Sequence, residues 1–257
     1  MTPNPILKVL STLKKQKVKC LLIGGQACII YGAAEFSRDS DFVLLCTLEN
    51  LRSLQAALRT LKATRLYVPP LKQEYLERGH ACHFRCNAKD VKGLRIDIIS
   101  KLRGCEPFGK LWKRKKTVLL KSGNSIDVIG LRDLVQSKKT QRDKDWLMLK
   151  RLVENDYLLK KGKPSPERIK WWLCQCRDVN ILIELARRYP AMAKECLARR
   201  PLLSLAINPD AEKLDSALHE EELQERQKDI EYWAPLRKEL EIMRHGCFSL
   251  NPNEPTL

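Results

Sequence analysis

Residues 162–166, Gly-Lys-Pro-Ser-Pro, constrain the architecture more than any other stretch of this 257-residue chain. Two prolines and two small polar or flexible residues in so short a span continue neither a helix nor a central strand. Before this break, short apolar runs alternate with amphipathic helical patterns. Beyond it only helical patterns remain. In the first part, Ile6, Leu7, Val9, Leu10 and Leu13 recur near helical spacing with lysines opposite. The apolar run 18–23 is stopped by Gly24-Gly25, which predicts a buried strand entering a tight turn. A short helix is expected over 26–31, a second strand over 41–46 and a second amphipathic helix over 48–61. Past Pro69-Pro70, strands at 81–86 and 94–99 flank a polar turn at 87–93; strands at 117–120 and 125–129 flank a Lys-Ser-Gly-Asn turn. From Leu131 a helical pattern runs to 156. The second part predicts helices at 167–176 and 179–188, a shorter one to 199 and a long one over 211–244, with 251–257 loose. The expected class is therefore α/β (α+β), a small mixed sheet flanked by helices and followed by an all-helical C-terminal region. The domains divide as 1–156 and 157–257.

Charge divides along nearly the same line. The net charge is +17, yet residues 151–257 hold 18 Lys and Arg against 18 Asp and Glu. The whole excess sits on residues 1–150, which suits a polyanionic partner for the first domain. A hydrophobic content of 44% argues against a disordered chain. No apolar run is long enough to span a bilayer. Residues 1–10 lack the basic-then-apolar pattern of a secretory signal, so a cytoplasmic location is expected and the ten cysteines read as buried thiols rather than a disulfide framework. His80, Cys82, His83 and Cys86 are clustered without the separated ligand pairs of a zinc finger; Cys82, Phe84 and Cys86 share one strand face and His83 the other.

The residues that carry chemistry are acidic. Asp39 and Asp41, in Ser37-Arg38-Asp39-Ser40-Asp41, point to one side at the mouth of a strand. Adjacent carboxylates repel unless a cation lies between them, and a hard divalent ion is the natural one. Asp97 interrupts the apolar strand Arg95-Ile-Asp-Ile-Ile99, where an unpaired aspartate is poorly tolerated. Brought beside the first two by sheet pairing, it would complete a set of three carboxylates of the kind that holds two ions roughly 3.5–4 Å apart in phosphoryl transfer. The glycines at 24 and 25 let backbone N–H groups approach a phosphate. In the run 110–116, five basic residues surround Trp112; Lys113, Arg114, Lys115 and Lys116 suit nucleic-acid phosphates, or equally a basic edge strand.

Gly24-Gly25-Gln26-Ala27, Tyr31-Gly32 and Ser37-Arg38-Asp39-Ser40-Asp41-Phe42 together resemble the signature of the nucleotidyltransferase superfamily, with its polymerase-beta-like fold. The stretch 134–146, with Lys138, Lys139, Arg142, Asp143, Lys144 and Asp145, resembles the helical segment of the branch that contains abortive-infection and toxin nucleotidyltransferases. The resemblance covers residues 15–155. It departs at Ser40, where an apolar residue is usual, and at Ser37, where threonine is commoner. It implies that Asp39, Asp41 and Asp97 are catalytic and bind Mg²⁺ or Mn²⁺. It also implies that Gly24, Gly25, Ser37 and Arg38 line the triphosphate of an NTP such as ATP. Lys138 and Arg142, four apart on one helical face, would neutralise it, and Asp145 would orient the arginine. The implied activity is transfer of a nucleoside monophosphate to a hydroxyl, with RNA (tRNA-like) the acceptor that fits the charge and a toxin–antitoxin or defence setting, with its antitoxin partner, the implied context. Alternatives are a protein side chain as acceptor, a relict site in a nucleic-acid-binding protein, and a small-molecule modifier, whose cationic substrates suit the charge least.

Overall fold

The computed structural model describes residues 5–119 and 125–247; the expected Lys-Ser-Gly-Asn turn and the tail 251–257 lie outside them. The elements before residue 138 are α1 (Pro5–Lys15), β1 (Cys20–Ile23), α2 (Gly24–Ile30), β2 (Asp39–Leu44), α3 (Leu48–Thr60), β3 (Thr64–Arg65), α4 (Gln73–Arg78), β4 (Cys82–Arg85), β5 (Arg95–Ile99), α5 (Phe108–Lys113), β6 (Lys116–Leu119), β7 (Ser125–Val128) and α6 (Leu131–Ser137). After it come only helices: α7 (Asp143–Lys160), α8 (Pro166–Gln175), α9 (Val179–Arg188), α10 (Pro190–Cys196), α11 (Ser204–Ile207) and α12 (Ala211–Cys247). The expected class holds, a mixed sheet with a helical C-terminal region. Among the described residues no helix is long and apolar enough to cross a membrane.

The chain forms two units, one of residues 5–30, 34–137 and 232–247, the other of 31–33 and 138–231. The compact units divide at 137/138, and residue 156 lies within the uninterrupted helix α7. The sheet belongs to the first unit. Its seven strands run β3-β4-β5-β2-β1-β7-β6, with β2 parallel to β5, β1 parallel to β7 and the remaining pairs antiparallel. Alternation along the strands gives the sheet two unlike faces. Ser40 and Phe42 of β2, Ile96 and Ile98 of β5, and Cys82 and Phe84 of β4 are buried. So are Ile6, Val9 and Leu13 of α1 and Leu51, Leu54 and Leu58 of α3, two helices that pack together. Each such large side chain contributes about 1.5–3 kcal/mol when fully buried. The alternate positions, Asp39, Asp41, Arg95, Asp97 and His83, stay partly accessible on the other face.

Two loop anchors hold β2 in place. Thr47 caps α3 by accepting from the Asn50 N–H. Buried Asn50 accepts from the Lys19 N–H at 2.7 Å and donates to the carbonyls of Lys19 and Leu45. These bonds tie the start of α3 to the backbone at the ends of β1 and β2.

The second unit is built from amphipathic helices and a buried ionic network. Arg200, buried, donates to the Leu173 and Cys176 carbonyls and to Glu221. It thereby satisfies the otherwise orphaned end of α8. Of the stripe on α12, Leu214 and Leu218 are buried whereas Leu223 and Ile230 are exposed.

Candidate active site

The strand registers assemble the site. β2 and β5 run parallel with Asp41 directly beside Asp97 and Asp39 beside Arg95. β4 pairs with β5 so that His83 lies beside Asp97 and Arg85 beside Arg95. On the other side, Asp41 pairs with Ile23, the residue before Gly24. One row therefore crosses the sheet in the order His83, Asp97, Asp41 and the start of α2, with Asp39 two positions along. Both paired aspartates lie within β2, which begins at Asp39 rather than at the expected residue 41.

The glycines fit against this row. Gly24 has φ +65°, a left-handed conformation, and a Cβ added there would stand 1.9 Å from Asp41 Oδ2. A Cβ on Gly25 would stand 2.5 Å from Ser37 Oγ. The turn after β1 therefore closes on Asp41 and Ser37, and both positions exclude a side chain unless those neighbours move. Ser37 is held in turn: its hydroxyl donates to the Asp39 carbonyl at 3.2 Å, and its own carbonyl accepts from Gln26 Nε2 at 2.9 Å. Arg38 is exposed beside it.

Asp97 is a paired carboxylate. Its Oδ1 meets His83 Nδ1 at 2.8 Å and accepts from Arg95 Nε at 2.9 Å. Burial alone would raise its pKa, but the bonds and charges of His83 and Arg95 outweigh that and hold it below the ordinary aspartate value. Both partners engage the same oxygen, Oδ1, of Asp97. Among the described residues no group of three or more His, Cys, Asp or Glu side chains is gathered to hold a metal ion. The donor chemistry of Asp39 and Asp41, two carboxylates on one strand face, fits a hard divalent ion. Ser40 points the other way, buried, and its hydroxyl finds no hydrogen-bond partner. An apolar side chain would suit that position better.

Arg95, in register with Asp39, and Tyr67, which follows β3, stand beside this row and are absent from the sequence-derived set. The Tyr67 and His83 rings meet edge-on at 5.8 Å, and the Arg95 guanidinium lies 5.8 Å from the Tyr67 centroid. The rest of the cysteine–histidine cluster is dispersed. Cys82 and Cys86 are buried, and burial pushes their thiols up to about 12 and about 11. His80 is bonded to Glu239 at 2.8 Å.

Lys138, Arg142 and Asp145 belong to the second unit, and the geometry among them differs from expectation. The helix expected from 131 to 156 is broken between α6 and α7, so Lys138 follows one helix and Arg142 caps the next. They share no helical face. Instead, buried Asp145 gathers Lys138 Nζ at 2.7 Å, Thr140 Oγ1 at 2.7 Å and Arg142 Nε at 2.7 Å. Burial would raise the Asp145 pKa; Lys138 and Arg142 lower it further than burial raises it. The break is held from afar by the Gln141 N–H, which donates to Asp229 at 2.9 Å. Asp145 thus bonds both Arg142 and Lys138.

The basic run is divided between the end of α5, a turn and edge strand β6. Arg114 is paired with Glu106 and Asp133, and Lys115 with Asp127 at 2.7 Å. Lys115 also lies 3.5 Å from the centroid of Trp112, which packs beside Phe108. The indole is partly accessible, with Lys115 and Phe108 beside it. Lys113 and Lys116 are exposed. No family model matches this chain, and no curated protein matches it.

Proposed function

We propose that the first unit is the catalytic body of a nucleotidyltransferase, moving a nucleoside monophosphate from an NTP to a hydroxyl of RNA. The observation that carries this reading is the juxtaposition of Asp39, Asp41 and Asp97 on one sheet face with a glycine turn closed against Asp41 and Ser37. Asp39 and Asp41 would hold Mg²⁺ (or Mn²⁺), which when bound neutralises triphosphate charge. Gly24, Gly25, Ser37 and Arg38 face the triphosphate. The acceptor oxygen forms a bond to the α-phosphorus while the α–β phosphoanhydride bond breaks and pyrophosphate leaves. The hydroxyl proton passes to the Asp97–His83 pair. Such chemistry rests on positioning and electrostatics rather than on a covalent intermediate.

A preference for RNA follows from the net charge of +17, confined to residues 1–150. Action as a toxin restrained by an antitoxin belongs to the same proposal. The test incubates the protein with each α-labelled NTP, Mg²⁺ and total cellular RNA. Labelled RNA is expected from the natural sequence and none from the Asp39→Ala, Asp41→Ala double variant; equal labelling by both overturns the assignment. Label on protein instead of RNA would make a partner's side chain the acceptor.

A further inference from the structure

We propose that Tyr67, held by Arg95 and His83, is the platform on which the terminal nucleobase of a single-stranded RNA acceptor stacks. This rests on the nucleotidyl-transfer reading above and assigns the acceptor end of the same site. In an in-line displacement the attacking hydroxyl and the departing pyrophosphate lie on opposite sides of the α-phosphorus. The turn at Gly24 and Gly25, on the β1 side of Asp41, takes the triphosphate. The attacker therefore comes from the β5 and β4 side, where Asp97 and His83 stand. Continuing in that direction, the sheet ends at β3, and Tyr67 follows it. At about 4.8 Å per strand, β3 lies about 10 Å from β5. A nucleotide whose hydroxyl is at Asp97 can lay its base at that distance.

Tyr67 differs from an ordinary surface tyrosine in how it is held. It is 51% exposed. Yet Arg95 and His83, which stand against its ring, also bond Asp97 Oδ1. The ring is thereby tied to the reacting row while half of the residue faces solvent. Stacking on an aromatic face tolerates any base, because every base has a π-surface, and an arginine at the ring adds a cation for the backbone. Arg85, exposed and in register with Arg95, extends that positive edge.

The experiment compares Tyr67→Ala and Tyr67→Phe with the natural sequence at one fixed salt concentration, since electrostatic affinity varies with salt. Equilibrium binding of a fluorescent single-stranded RNA is measured without NTP or Mg²⁺, and KM for RNA and for NTP is measured in transfer. Tyr67→Ala is expected to raise the RNA Kd and the RNA KM about tenfold, leaving KM for NTP unchanged; Tyr67→Phe is expected to restore both. Unchanged RNA binding in a transferring Tyr67→Ala variant overturns the subsite alone. A rise in KM for NTP with RNA binding intact also overturns it, placing the incoming nucleotide's base on the ring. If the natural sequence transfers no label from any NTP, the parent reading fails and the acceptor assignment falls with it.

Discussion

Replacing Gly24 by alanine should separate backbone strain from damage to the site. At φ +65° an alanine carries the left-handed penalty of roughly 1–2 kcal/mol. Its Cβ would also stand 1.9 Å from Asp41 Oδ2, 2.6 Å from Cγ and 2.8 Å from Cβ. Three overlaps with one side chain leave no rotamer change at the new residue as an escape, since alanine has none. Asp41 must swing away, or the turn must open. Gly93 supplies the control: its φ is +85°, and a Cβ there would meet nothing within 4 Å. Gly93→Ala should therefore lose about 1–2 kcal/mol and keep full transfer activity. Gly24→Ala should lose at least that much, with a further overpacking cost of about 1–3 kcal/mol, and should lose transfer almost completely. Thermal or denaturant melts of both variants, read beside α-labelled NTP transfer, make the comparison. A Gly24→Ala protein that melts with Gly93→Ala and still transfers would refute the close packing of the turn on Asp41 as a requirement of the site.

Other outcomes follow from single contacts. Gly25→Ala should impair transfer, and Ser37→Gly in the same chain should recover part of it, because the clash at Gly25 is with Ser37 Oγ and Cβ; no recovery in kinetics would count against that contact. Ser40→Val should raise stability by about 1 kcal/mol, since it removes a buried hydroxyl without a partner, and a lower melting temperature would contradict this. Asp145, held below the ordinary aspartate value of 3.8, should stabilise the second unit fully above that value and lose the contribution as pH falls through its depressed folded value. Asp145→Asn should accordingly cost most at neutral pH, and the gap in melting temperature from the natural sequence should close in strong acid; a gap that widens with acid would reverse the sign. Lys138→Met should destabilise less than Asp145→Asn, because Asp145 keeps Thr140 and Arg142 when the lysine is lost, whereas all three lose a partner when the carboxylate goes.

Much of the sheet was legible because strands have a period of two. Asp39 and Asp41 on one face, and Asp97 in an apolar strand, are statements about local pattern, and the registers place all three together. The Asp97–His83 contact was legible too. A polar turn at 87–93 centres the hairpin on residue 90, and a hairpin so centred pairs 83 with 97. Arg95 stands two residues before Asp97 on the same face. The break between α6 and α7 could not be read this way. Residues 138–142, Lys-Lys-Thr-Gln-Arg, contain neither glycine nor proline, and the interruption is stabilised by Asp229, 88 residues from Gln141. Tertiary contact there overrides a helical pattern. The pairing within the basic run 110–116 was hidden for a similar reason: Asp127 and Asp133, 12 and 19 residues away, pair with Lys115 and Arg114.

Nucleotidyl transfer has a signature that separates it from phosphoryl transfer, nucleotide hydrolysis and simple RNA binding. The same NTP, labelled once at the α-phosphorus and once at the γ-phosphorus, is incubated in parallel with protein, Mg²⁺ and RNA. The α-label should become covalently attached to RNA, the γ-label should appear in pyrophosphate, and both signals should vanish in the Asp39→Ala, Asp41→Ala variant. Covalent γ-label on the acceptor, or α-label that never leaves the free nucleotide pool, would contradict it.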